Sequence, residues 1–119
     1  MSADALLHLA DVEEIRIGFR RPDGSSGSTP IWVVQVGDDI YVRSVRGPKG
    51  GWHRRLRANL DGEVRDGEHR HRVRAEAVTD TGMLAQVTRA YATKYAGSPF
   101  VRPLLREPSV GATLRLDPA

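Results

Sequence analysis

Not one of the 119 residues of this chain is cysteine. That absence removes disulfide frameworks, thiolate zinc sites, iron–sulfur clusters and a cysteine nucleophile. Aromatic residues make up only 6% of the chain, lysine occurs only at Lys49 and Lys94, and no stretch nears the roughly 18 uninterrupted apolar residues of a membrane span. Met1 to Ala10 has no basic region ahead of an apolar run, so it does not read as a leader. The expectation is a soluble cytoplasmic protein without membrane contact. What is present suffices for one domain over residues 1–119: a 39% hydrophobic share can close a single core, and fits neither disorder nor a collagen or coiled-coil design.

The formal charge of +3 conceals an asymmetry. Between Val42 and Ala75 lie ten cations (Arg43, Arg46, Lys49, Arg54, Arg55, Arg57, Arg65, Arg70, Arg72, Arg74) against four acids (Asp61, Glu63, Asp66, Glu68), so this stretch is +6 and the remainder −3. Such clustering points to an anionic partner.

Along the chain, Glu13 to Arg20 alternates with the period of a half-buried strand. Pro22 to Ser28 reads as a loop, and Thr29 to Val36, apolar on both faces, as a central strand with Pro30 at its start. Gly37-Asp38-Asp39 turns that strand back into Ile40 to Val45. A Gly-rich loop, Gly47 to Gly51, precedes one or two helical turns, Trp52 to Asn59, with Trp52 and Leu56 four apart on one face. Asp61-Gly62 reads as a turn. Asp66-Gly67 reads as a hairpin between Glu63 to Arg65 and Glu68 to Val78. In the latter strand Arg70, Arg72 and Arg74 share one face and His69, His71, Val73, Ala75 and Ala77 the other. Asp80 or Thr79 caps a helix whose apolar positions are Leu84, Val87, Tyr91 and Tyr95, ending at Gly97, and Thr113 to Leu116 is a last strand. The class is α+β: a six-stranded antiparallel barrel with one short and one long helix on its outside.

Residues 29–59 (TPIWVVQVGDDIYVRSVRGPKGGWHRRLRAN), followed by a hairpin and RVRAEAVTD, resemble the split β-barrel proteins that bind flavin or deazaflavin cofactors. With AYATKY (Ala90 to Tyr95) and TLRLDP (Thr113 to Pro118), the chain looks more narrowly like a small bacterial family, DUF2255, on the pyridoxamine phosphate oxidase-like fold. In the deazaflavin-dependent nitroreductases of that superfamily a strand ends in Ser, a Gly-rich loop with a cation follows, and a helix begins Trp-Tyr-His-Asn-Leu. Ser44, the loop with Lys49, Trp52, Leu56 and Ala58-Asn59 match; the Asn before Leu is Arg55 here, and the loop is shorter.

The resemblance implies an oxidoreductase using FMN or deazaflavin (coenzyme F-420) on a small-molecule substrate, with no acid–base or nucleophile constellation of its own. Arg43, Arg46, Lys49, Arg54 and Arg55 would then anchor the cofactor phosphate, Ser44 would belong to the same cofactor site, Trp32 and Trp52 would offer flat surface for the ring, and Tyr91 and Tyr95 would line the substrate pocket. The residues give independent support: a Gly-rich loop admits backbone N–H groups to a phosphate, Lys49 adds a point charge, and the next helix presents its N-terminal dipole. A homodimer is common among split barrels, and a two-fold interface can complete such a site.

Plainer readings stand beside each of these. The loop is not a Walker loop, since Gly50 follows Lys49; the tryptophans and tyrosines also suit packing, and the Arg70, Arg72, Arg74 face suits a solvated strand. His53, His69 and His71 lack metal-ligand spacing, and Ser44 lacks a hydrolase elbow, so neither a metal site nor a hydrolase is expected. A second function class is a non-catalytic barrel that binds a cofactor or small ligand. A basic nucleic-acid-binding barrel ranks third, because single-strand binders interleave aromatics with cations and no Phe, Tyr or Trp occurs between Arg54 and Val78.

Overall fold

The computed structural model describes residues 3–58 and 61–119. Seven strands, β1 (Ile15–Arg20), β2 (Ser26–Ile31), β3 (Val33–Val36), β4 (Asp39–Arg43), β5 (Asp61–Asp66), β6 (His69–Ala77) and β7 (Thr113–Pro118), form one antiparallel sheet in the order β2-β1-β5-β6-β7-β4-β3. Two α-helices, α1 (Gly51–Ala58) and α2 (Thr81–Lys94), accompany it, with 3-10 segments at Ala3–Asp11, Gly47–Lys49, Pro99–Leu105 and Val110–Ala112. Among the described residues no helix is long and apolar enough to cross a membrane.

The α+β class is as expected, but the strands number seven, not six. The apolar run Thr29 to Val36 is not one central strand. It breaks at Trp32 into β2, which pairs with β1, and β3, which pairs with β4, and these two pieces occupy opposite edges of the sheet. Consecutive segments can stand at opposite edges only if the sheet curls until those edges meet, so the half-barrel has its seam at Trp32. Pro30, with no N–H to donate, is tolerated because β2 is an edge strand. Ser26 to Ser28, read as loop, extends β2 through pairing with Gly18 to Arg20.

Asp61-Gly62 is likewise not a turn. It lies inside β5, and Gly62 is there for packing, since a Cβ on it would run into the Leu56 side chain of α1. The two tight hairpins form where expected: Val36 pairs with Asp39 around Gly37 (φ +60°), and Asp66 pairs with His69 around Gly67 (φ +59°). Asn59, the expected last residue of the short helix, lies outside the described residues.

Two apolar clusters result. The first fills the curl of the sheet with Ile15, Ile17, Ile31, Val33, Ile40, Val42, Val64, Val73, Leu114 and Leu116. Leu56 of α1 closes it on one side, and Leu6 and Leu9 of the N-terminal 3-10 segment also pack into it. The second lies outside the barrel, where Val34 and Tyr41 meet Val87, Tyr91 and Tyr95 of α2 and Val101 and Leu104 of the Pro99–Leu105 segment. Helix α2 begins at Asp80, whose carboxylate accepts from the Met83 amide at 2.8 Å, as an N-cap should.

Candidate functional site

A cavity of about 500 Å3 opens where the seam of the barrel meets the start of α1. Phe19, Pro30, Ile31 and Trp32 form one wall, Arg43 to Arg46 another, and Gly50, Gly51 and Trp52 a third, with Phe100 and Leu104 at the remaining side. This is the volume of a drug-sized ligand, and the lining is mainly apolar with a few convergent polar groups.

The third wall follows from local backbone chemistry. As β4 ends, the Gly47 amide donates to the Ser44 carbonyl at 2.9 Å, with Gly47 at φ +72° against Pro108. The Gly50 amide then donates to the Gly47 carbonyl at 3.0 Å, and the Arg54 amide to the Gly50 carbonyl at 3.0 Å, which starts α1. The first amides of that helix, those of Gly51, Trp52 and His53, precede its first turn and have no acceptor among the described residues. Gly50 sits so close to Ser44 that a Cβ on it would overlap the Ser44 hydroxyl oxygen. That hydroxyl, on a residue 1% exposed that lines the cavity, has no hydrogen-bond partner among the described residues. Arg46, exposed at the same wall, is also unpartnered among them.

Trp32 is held from behind. Its indole stacks on the Tyr95 ring at 4.1 Å and 6°, while the Tyr91 hydroxyl donates to the Trp32 carbonyl at 2.9 Å. The Tyr95 hydroxyl accepts from the Val33 amide at 3.1 Å and donates to the Glu13 carbonyl at 2.6 Å. Burial pushes both phenols upward, Tyr95 to about 12, so both stay protonated donors.

Arg43 lies only 2% exposed at the inner wall. Its Nε donates to Thr113 Oγ1 at 2.8 Å, Nη1 to Thr88 Oγ1 and the Leu104 carbonyl at 2.8 Å each, and Nη2 to the Leu84 carbonyl at 2.9 Å. Its guanidinium thus ties β4 to β7, α2 and the Pro99–Leu105 segment. Among the described residues no carboxylate forms an ion pair with it. Desolvation lowers its pKa, yet an Arg stays charged, so a cation without a direct ion pair remains at the cavity wall.

Residues 5–116 match a family described as uncharacterised proteins conserved in bacteria, DUF2255. The chain belongs to that family. No curated protein matches this DUF2255 chain. Its fold has clear relatives among solved structures. HutZ, the heme storage protein from Vibrio cholerae, is 14% identical with a TM-score of 0.73, the match covering 100% of this chain and 92% of that one. A putative pyridoxamine 5'-phosphate oxidase from Listeria innocua is 12% identical with a TM-score of 0.65, covering 98% and 91%. An F-420-H2-dependent reductase is 12% identical with a TM-score of 0.65, covering 89% and 94%. These likenesses give the DUF2255 chain the split-barrel fold of the pyridoxamine phosphate oxidase type.

Of the residues singled out from the sequence, Trp32, Arg43, Ser44, Arg46 and Trp52 come together on this cavity. Lys49, Arg54 and Arg55 are nearby in the chain but not in its lining. Tyr91 and Tyr95 do not line it either; they belong to the outer cluster and brace Trp32. The structure adds Phe19, Val45 and Phe100, of which Phe100 is 75% exposed. No signal marked them as site residues, because they reach the cavity from three separate segments. His53, 6% exposed on α1, has both ring nitrogens without partners, and burial lowers its pKa with help from Arg57.

Proposed function

We propose that this protein is a flavin- or deazaflavin-dependent oxidoreductase acting on a small molecule, with the cofactor seated in the cavity between the seam and α1. One observation carries this: two indoles share a single cavity with open helix-start amides, an unpartnered buried hydroxyl and two cations.

The residues present fit such a group. The open amides of α1, the Ser44 hydroxyl and Arg46 suit a phosphate, and the absence of a Cβ at Gly50 keeps that corner clear. Trp32, immobilised by Tyr91 and Tyr95, and Trp52 offer flat apolar surface for a ring. Arg43, fixed by four hydrogen bonds, biases the inner wall toward a ligand that is or becomes anionic. When bound, the cofactor supplies hydride or electron transfer; the side chains orient it and exclude water. The likeness to an F-420-H2-dependent reductase and to a putative pyridoxamine 5'-phosphate oxidase supports the same reading.

HutZ suggests haem as another planar occupant. Haem iron takes a His, Cys, Met or Tyr ligand, and the residues lining this cavity include none of these, which favours the flavin class.

The test is titration of the purified protein with FMN, with oxidised and reduced F-420, and with hemin, following tryptophan emission and cofactor absorbance. Saturable binding of FMN or F-420, weakened at least tenfold by Arg46→Ala or Gly50→Ala, is expected. No saturable binding of either at high micromolar protein, or tight hemin binding alone, overturns the proposal. Binding without turnover on any electron acceptor leaves a cofactor-binding module and removes the oxidoreductase.

A further inference from the structure

Away from the cavity, the register of the sheet creates an arrangement invisible in the linear sequence. Arg16 of β1 pairs directly with Arg65 of β5, and Arg65 pairs directly with Arg70 of β6. Three arginines therefore stand abreast on adjacent strands, about 4.8 Å apart. Like charges directly opposite one another destabilise a sheet, so folding alone does not ask for this row. Arg20 and Arg72 belong to the same outer face, opposite the buried Ile17, Val64 and Val73.

Acidic relief is slight. Glu63 pairs with Arg65 at 2.7 Å and lies 3.7 Å from Arg70, while Arg16 donates to the Ser28 hydroxyl at 3.1 Å and carbonyl at 3.3 Å; Glu76 is the next acid along the same face of β6. The Arg20 and Arg72 side chains form no ion pair or hydrogen bond among the described residues, although Glu63 stands opposite Arg72 in the register. A hollow of about 450 Å3 on this side is lined by Arg20, Arg65, Arg72, Glu63 and Gly18 among others.

We infer that this outer face of β1, β5 and β6 is a docking surface for the phosphate backbone of a nucleic-acid duplex. The chemistry selects this occupant. An acidic protein partner would need an apolar centre to its interface, and the patch has none beyond its edge. A single strand would need aromatic platforms, but the aromatic at the edge, Phe19, already lies under the Arg21 guanidinium at 5.6 Å. Backbone contact to a duplex asks only for spaced cations. Successive outward residues on a strand stand about 6.7 Å apart, so Arg70 and Arg72 on one strand and Arg16, Arg65 and Arg70 across strands form a grid of such contacts. The face is separate from the phosphate corner of the cavity, and the inference does not depend on a bound cofactor.

The experiment is fluorescence anisotropy of a labelled mixed-sequence DNA duplex over a salt series, with the full-length protein. With three phosphates neutralised, log affinity should fall with log salt at a slope of about −2.7, which is roughly 40-fold between about 50 and 200 mM. Arg70→Gln with Arg72→Gln should reduce the slope by about 2, while Arg89→Gln with Arg102→Gln, equal in charge but elsewhere, should leave both slope and affinity within about twofold. FMN titration of the same variants reads the cavity independently, so failure of one proposal is distinguishable from failure of the other. The inference is overturned by salt-independent or undetectable binding, by equal losses in both double variants, by tighter binding of a single strand, or by equal competition from polyglutamate.

Discussion

The two apolar clusters are built on different principles. Inside the barrel the buried residues are almost wholly aliphatic, contributed by every strand, and any one of them contacts others of the same kind. Outside, between β3, β4 and α2, the packing is threaded by polar bolts: Arg43 with four hydrogen bonds, Tyr91 and Tyr95 on backbone atoms of the seam, and Lys94 donating at 2.7 Å to the carbonyls of both Val12 and Val33. Aliphatic packing stabilises without dictating one geometry, whereas a buried hydrogen-bond network is costly unless its geometry is met. The barrel interior therefore supplies stability, and the outer cluster sets where Trp32 and the cavity wall stand.

The sharpest way to break this contrast is Arg43→Ala, which takes the donor from the Leu104 carbonyl and removes one bond each from the Leu84 carbonyl and the Thr88 and Thr113 hydroxyls. A loss of about 4 kcal/mol in urea unfolding is expected, with changed near-UV circular dichroism. Leu114→Ala in the barrel should cost about 3 kcal/mol through its cavity but leave tryptophan emission and cofactor affinity close to those of the parent. If it disturbs emission as much as Arg43→Ala does, the division of labour is wrong. Tyr95→Phe keeps the stacked ring and removes only the hydroxyl. It should cost about 1.5 kcal/mol and loosen Trp32, seen as faster acrylamide quenching.

The smallest effect lies in the pH dependence. His53 and His71 both titrate below their ordinary value of 6.5 in the fold, chiefly through burial, His53 with help from Arg57 and His71 from the neighbouring His8 and His69. The unfolded chain takes up those protons first. Stability is thus fully present above about pH 6.5 and declines as pH falls from there toward the folded values. His53→Gln should flatten part of that decline in a series of denaturation midpoints, and an unchanged series would remove His53 from the account.

Much of this was readable from local patterns. The hairpins at Gly37 and Gly67 need positive φ, β6 alternates, and α2 carries both a cap and a 3.6-residue stripe, so each is governed by neighbours in sequence. Three features escaped because they are settled by distant partners. The break at Trp32 lies within an apolar run that reads as continuous; what divides it is pairing with β1 on one side and β4 on the other. Gly62 has the look of a turn but yields space to Leu56. Arg43 counts among the cations of a basic stretch, yet the fold buries it, because two carbonyls and two hydroxyls from other elements converge on it. Of the candidate site, Ser44, Arg46 and Trp52 could be named in advance because they flank one loop, and Trp32 because it belongs to the apolar strand run before it. Phe19 and Phe100 could not, since no local pattern ties residues so far apart.

Strand β7 pairs with β6 on one side and β4 on the other, so among the described residues it is the hydrogen-bonded bridge between the two halves of the sheet. During synthesis, β4 emerges long before β7 and must wait with its edge open until residues 113–118 arrive. The barrel closes last across its most distant contacts, a non-local step that slows folding and exposes an unsatisfied edge to other nascent chains. On the ribosome, a pause just upstream of this segment would prolong that exposure, making translation speed there a determinant of the yield of folded protein.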